Sequence, residues 1–282
     1  MKLEKAMTLF TRTPVHVGAG NSVGAIDSPI IRERHTNVPV IPGSSLKGVL
    51  ADLWQNEQGK RGEQARKIFG DDTQSDFSAG ELLVGEARCL AFPVRSAKNA
   101  FVWISSPMAL ERFCRDFGCT LEVPGKLDEK SCYASDKVCM GEAKDKVVLE
   151  EYVFTKVGAV SDAILEAFKK LSDEPLWKNT LAERLVIVND EIFSYFVKNA
   201  CEVATRIRIN DNTGSVDNGA LFNQEQLPSE AMLYSVLGEL RQTSGECVAA
   251  VEAKVNEAGN VLQIGGDATI GLGFCTVNFI QL

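Results

Sequence analysis

Both histidines of this chain, His16 and His35, fall within residues 13–47, beside a lone aspartate, Asp27, and two arginines, Arg32 and Arg34. The same stretch, TPVHVGAGNSVGAIDSPIIRERHTNVPVIPGSSLK, holds four glycines and four prolines. Glycine admits backbone conformations that other residues avoid and proline fixes its own, so this is a run of turns carrying polar groups. Two histidines invite an acid–base pair that cuts RNA. His16, however, alternates with Val15 and Val17, a pattern that suits a structural or ligand-contacting role, and His35 in RERHT reads as a solvated loop. A carboxylate such as Asp27, with an ordinary pKa of about 4, is a poor general base at neutral pH. It can instead orient an attacking hydroxyl or help to hold a hydrated divalent ion, and an Asx-type turn cap is the plainer alternative.

Pro42-Gly43-Ser44-Ser45 reads as a helix start with serine as N-cap, followed by Leu46, Val49, Leu50, Leu53 and Trp54 at helical spacing. Unpaired amides at a helix start bind anions, and a phosphate there would offset the unfavourable position of Lys47 in the first turn. GSSLKG lacks the GxxxxGK[ST] spacing of a P-loop, and a capped helix with a solvated lysine explains it equally well. A second glycine loop, IGGDATIGLGF, carries Gly265, Gly266, Gly271 and Gly273 around Asp267 and Thr269. It is either a tight turn before an edge strand or, if the two loops meet, half of one groove.

These residues need a scaffold. The periodicity predicts a strand over 5–13, a helix from 42, and two strands within 81–105 joined near 96–99. It then predicts a helix over 107–117 and an irregular region over 118–146. Beyond that come a strand at 147–154, a helix at 161–171, a strand at 185–189 and a helix at 190–199. CEVATRIRI over 201–209 alternates, with Arg206 and Arg208 on one face and Ile207 and Ile209 on the other. A strand at 231–237, a helix near 247–257 and a strand over 274–280 complete an α+β pattern without βα regularity.

The net charge of −8 argues superficially against a nucleic-acid partner. Yet residues 1–50 carry six Lys/Arg and three Asp/Glu, so a front of +3 sits on a body of −11. No apolar run of about 18 residues and no basic-then-apolar leader is visible, which places the chain in the cytoplasm with no membrane contact. The eight cysteines include Cys114, Cys119, Cys132 and Cys139 within 26 residues, but no CxxC pair, so free thiols are expected rather than zinc ligands.

Taken in order, TPVHVGAG, IDSPIIRERHTNVPVIPGSSLKGVL, RIRINDNTGSVDNGALFNQEQLPSE and IGGDATIGLGF resemble the RAMP superfamily. Within it the chain is most similar to the backbone subunit of type III-B (Cmr) CRISPR effector complexes. The resemblance implies a single RAMP domain over 1–282, with an RRM-like (ferredoxin-type) palm, inserted finger elements and a thumb-like hairpin near 206–225. It implies copies stacked as a filament on a CRISPR RNA guide, with other Cmr-complex subunits. Target single-stranded RNA would pair with the guide and be cut at regular intervals by an endoribonuclease reaction needing a divalent metal ion, Mg2+ or Mn2+. On this likeness Asp27 is catalytic and metal-binding, and Glu225 is a second acid. RNA would be met by His16, Arg32, Arg34, Ser44, Ser45, Lys47, Arg206, Arg208, Gly266, Thr269 and Gly271. A guide-binding scaffold without cutting, and the equivalent type III-A (Csm) subunit, are the alternatives. A small-molecule phosphate-binding enzyme is disfavoured by the absence of a nucleotide motif.

Overall fold

The first strand, β1 (Lys2–Thr11), ends before Pro14 as its sequence requires, and its alternating side chains feed two different cores. Met7 and Leu9 point to one face and Phe10 to the other, the period-2 consequence of a pleated strand. The computed structural model describes residues 2–20, 26–55, 62–71, 78–207, 209, 214, 216, 221–240 and 245–282.

Five further elements surround β1: α1 (Gly43–Asp52), β2 (Ala87–Ser96), β3 (Met232–Glu239), α2 (Glu246–Glu257) and β4 (Phe274–Gln281). β1 lies antiparallel between β3 and β4, and β3 pairs antiparallel with β2, giving the order β4-β1-β3-β2. Leu46 and Leu50 of α1, with Val248, Val251 and Val255 of α2, share one core with Met7, Leu9 and Leu233. The other face is covered by Pro107–Phe117, Asp162–Lys169 and Pro175–Arg184, whose Phe113, Phe168 and Trp177 pack with Phe10, Trp103 and Tyr234.

These covering helices belong to a long insertion between β2 and β3. The second half of β2 pairs with Ala100–Ser105 across the expected turn. From there the sheet runs through Leu185–Ile187, Ser131–Ala134, Tyr152–Gly158 and Lys146–Leu149. The last of these meets β2 again at Ser96–Leu149, so the strands close into a ring.

The α+β class stands, and the helix Asp190–Asn199 falls where expected, with the Asn189 side chain accepting from Ile192 N. Four local expectations differ. The single strand expected at 147–154 is two, Lys146–Leu149 and Tyr152–Gly158, paired antiparallel across a turn at Glu150 and Glu151. The 118–146 region holds a strand, Ser131–Ala134, and a short 3-10 turn, because their partners are distant in sequence and leave no local period. Pro175–Arg184 is a helix the pattern missed: few of its apolar residues are buried, and Trp177 anchors it. Finally, Pro42 rather than a serine is the N-cap of α1, with no side-chain cap bond. Gly43 opens that helix because a Cβ there would lie 2.3 Å from the Val84 carbonyl oxygen.

Trp177 is fully buried, with ring centroids 4.9 Å from Trp103 and 5.7 Å from Phe10, and its indole N–H donates to Phe168 O at 2.8 Å. Trp177→Ala is therefore expected to lower stability by about 3–5 kcal/mol, read from the midpoint of denaturant unfolding.

Candidate functional site

Three segments far apart in sequence are sewn together by backbone bonds. Val15 and Leu227 exchange hydrogen bonds of 2.8 Å in both directions. Ser28 N donates to Asn223 O at 3.0 Å, and Glu225 N to Ser28 O at 2.9 Å. Val15 and Ser28 are thereby laid against the strand Phe222–Gln226 and the residue after it, the strand itself being paired with Glu202–Arg206 as a two-stranded ribbon. The C-terminal glycine loop joins from the other side: Gly266 N donates to His16 O and Gly273 N to Pro14 O, both at 2.9 Å. Gly265 has φ +86°, and a Cβ there would fall 2.2 Å from His16 O. The two glycine loops do meet.

At their junction the polar side chains are mostly consumed. Glu225 is buried: Oε1 accepts from Arg32 Nη2 at 2.5 Å, and Oε2 accepts from Ile30 N at 3.0 Å. Arg32 Nη1 donates to Asn37 O at 2.7 Å and Val197 O at 2.9 Å, and Nη2 also reaches Cys201 Sγ at 3.2 Å. Burial pulls the Arg32 pKa down, but Cys201 and Glu225 more than offset this and raise it above its ordinary value. Burial pushes the Cys201 thiol up to about 12, so it stays neutral. His16 is buried, with Nδ1 2.7 Å from Glu225 O and Nε2 3.2 Å from Ser28 Oγ. A carbonyl only accepts, so Nδ1 carries the proton and Nε2 accepts from the Ser28 hydroxyl.

The nitrogens of His16 and Arg32 are thus occupied inside the junction, and both oxygens of Glu225 are partnered in a buried ion pair. The sequence shows a histidine, an arginine and an acid; it does not show that they face inward.

What remains outward is narrower. Asp27 is exposed, and its Oδ2 accepts from Asn223 N at 2.8 Å; its other oxygen has no partner among the described residues. Asp267, in a left-handed conformation, accepts from Gln224 Nε2 at 2.6 Å, and Gln224 Oε1 accepts from Arg206 Nε at 3.1 Å. Arg206 is thus half-buried and tied to the ribbon. Thr269 is exposed on the turn Ala268–Ile270, closed by Gly271 at φ +87°. Arg34 is exposed without a partner among the described residues. Arg208, and most of the hairpin expected over 206–225, lie outside the described residues.

The α1 start stands apart from this junction. Its first helical bond, Leu46 N to Pro42 O at 3.1 Å, leaves the amides of Gly43, Ser44 and Ser45 without intrahelical acceptors. Ser44 is exposed and Ser45 half-buried. Lys47 Nζ donates to Leu82 O at 3.2 Å, and burial lowers its pKa. The ammonium therefore leans onto the strand Leu82–Val84. Sequence reasoning missed the roles of Ser28, Asn223 and Gln224; only the alternation Gln224-Glu225-Gln226 hinted at a ribbon.

The donor set discriminates between kinds of metal site. Among the described residues, no group of three His, Cys, Asp or Glu side chains could hold an ion, and Cys132 and Cys139 are buried thiols. A protein cage does not fit. One exposed carboxylate does fit an ion of the magnesium type, which uses one or two carboxylates together with substrate phosphates.

The RAMP superfamily pattern matches residues 8–276. The chain belongs to the RAMP superfamily. This RAMP chain is 37% identical over 288 residues to the CRISPR system Cmr endoribonuclease Cmr4 of Pyrococcus furiosus, covering 97% of this chain and 95% of that relative. The crystal structure of oligomeric Cmr4 from Pyrococcus furiosus superposes with a TM-score of 0.73 at 28% identity, covering 100% of this chain and 99% of that one. A CRISPR system Cms endoribonuclease, Csm3 of Streptococcus thermophilus, is 31% identical over 97 residues, which is 30% of this chain and 44% of that one.

Two outcomes follow from this geometry. Gly265→Ala should weaken folding by at least about 1–2 kcal/mol, from the left-handed strain alone, visible as a lowered thermal midpoint. The second concerns the RERHT loop. Arg112 Nη1 lies 2.9 Å from both oxygens of Glu33, and Thr36 Oγ1 donates to Glu33 at 2.6 Å. Burial raises the Glu33 pKa, but Thr36 and Arg112 outweigh it, and the carboxyl titrates below its ordinary 4.5. A depressed folded-state pKa gives stability that is present above the unfolded value and lost as pH falls through the folded one. Arg112→Leu should cost about 1–2 kcal/mol near pH 7, with the difference from the parent shrinking below about pH 4.5 in acid titrations of stability.

Proposed function

We propose that this chain is a CRISPR RNA-guided endoribonuclease subunit: copies coat a guide RNA as a filament, beside other Cmr-complex subunits, and cut the paired target RNA. The observation that carries the reading is Asp27, an exposed carboxylate held on a loop braced against the strand Phe222–Gln226. The near full-length likeness to a Cmr endoribonuclease supports it, as does the oligomeric relative. The Csm alternative is weaker, because that likeness covers under a third of the chain.

We read the strand order β4-β1-β3-β2, with α1 and α2 on one face, as a ferredoxin-type, RRM-like palm. We read the insertion between β2 and β3 as the finger, the ribbon Glu202–Arg206/Phe222–Gln226 as the thumb base, and residues 1–282 as a single RAMP domain. No helix among the described residues is long and apolar enough to cross a membrane, and we place the assembly in the cytoplasm.

The chemistry needs little from the protein. RNA brings its own nucleophile, the 2′-OH, and is cleaved once the backbone is bent so that attack on the phosphorus is in line. The amides of Gly43–Ser45 and the exposed Arg34 hold phosphates of the guide, which fixes where the paired target lies. Asp27 orients the attacking hydroxyl. Asp27 would hold a divalent ion, which would supply charge stabilisation for the developing oxyanion. His16 takes no part in proton transfer, because both of its nitrogens are bonded within the junction.

Asp27→Ala is expected to lower target cleavage at least about 100-fold while leaving filament assembly on guide RNA intact. Denaturing gels for cleavage and sedimentation for assembly read the two separately. Cleavage at the parental rate would overturn the role of Asp27 and favour a scaffold without cutting.

A further inference from the structure

We infer that Arg32 and Glu225 are positioning residues for RNA cutting, because their buried ion pair fixes the loop that presents Asp27. The inference rests on the reading of the chain as an endoribonuclease, and it gives work to two residues whose polar groups are occupied inside the junction.

Asp27 is exposed and sits on irregular backbone, where a carboxylate would sample many directions unless its loop were tied down. At Pro29 and Ile31 the loop is tied back to residues 17–19, and nearer to Asp27 its ties run to the ribbon strand. Asn223 N–H bonds the Asp27 carboxylate, Ser28 exchanges backbone bonds with Asn223 and Glu225, and Ile30 N–H bonds Glu225 Oε2. Glu225 is the shared node. One oxygen takes the loop amide and the other takes Arg32, while its own carbonyl takes His16, whose second nitrogen accepts from Ser28.

A carboxylate this deeply buried keeps its charge and its place only while a cation compensates it. Arg32 does so with a planar fork that also reaches Asn37 O, beyond the loop, and Val197 O, in the helix Asp190–Asn199. Lysine has one ammonium on a flexible stem and cannot span carboxylate and two carbonyls together. Removing the fork frees the Glu225 side chain, then Ile30, and then the orientation of Asp27. Nothing in this chain of contacts touches RNA, so binding and cutting should separate.

The test is single-turnover cleavage by the chain assembled on guide RNA, at saturating paired target, with target affinity measured in parallel. Glu225→Gln and Arg32→Lys should each lower the cleavage rate about 10- to 100-fold while target affinity stays within about threefold. Adding either change to Asp27→Ala should lower the residual rate no further. A rate lost in Glu225→Gln but kept in Arg32→Lys would make Glu225 a reacting acid and overturn the inference. Parental rates in both variants, with Asp27→Ala inactive, would overturn it while leaving the function intact. An active Asp27→Ala would instead remove the function on which it rests. Should the variants fail to fold, hydrogen exchange on the unaltered chain decides. Amides of Ser28, Ile30 and Glu225 should share one protection factor, and fast exchange of Ser28 and Ile30 beside a protected Glu225 would overturn the coupling.

Discussion

Burying one carboxylate, that of Glu225, imposes much of the geometry around it. An ionised acid out of water must be compensated, and Glu225 draws its partners from three places: Arg32, Ile30 N–H and, through its backbone, His16. The strand that carries it belongs to a ribbon with exposed Val203 and Phe222, and a two-stranded ribbon alone is marginal in water. Its docking onto residues 15–32 gives the ribbon a fixed base, and gives the Asp27 loop a wall. A buried ion pair is weak as a source of net stability but effective as a means of choosing one arrangement among several. Here the arrangement chosen puts an exposed acid at a fixed point against the strand Phe222–Gln226.

The sheet explains why that point lies where it does. β1 and β4 are neighbours in the main sheet, and each adjoins one of the glycine loops: residues 12–20 follow β1, and residues 264–273 precede β4. Because β1 and β4 are antiparallel neighbours, the end of one lies beside the start of the other. The loops have to meet. The aromatic cluster around Trp177 on the opposite face and the aliphatic core beneath α1 and α2 hold this sheet from both sides.

An RNA-binding role coexists with a net charge of −8 because the contacts that suit phosphate are local. Free amides at a helix start and in glycine turns are neutral donors, so they need no positive field over the whole surface. Many copies along one guide would also multiply individually weak contacts.

The α+β class, the helix at 190–199 and the hairpin within 81–105 were legible in the sequence. Strand alternation, capping residues and glycine or proline placement act over a few neighbouring residues. The helix Pro175–Arg184 was not legible, because only Trp177 and Leu181 of it are buried, too few positions to announce a period. Nor was the strand Ser131–Ala134, whose partners lie some twenty to fifty residues away in the chain. The same boundary runs through the site. Residue type by itself marked Asp27, His16, Arg32 and Glu225 as capable of chemistry, but every one of them could face RNA or the interior. Only the tertiary structure decided which: Asp27 stays in water, held by the Asn223 N–H, and the other three turn inward because one buried charge requires the others.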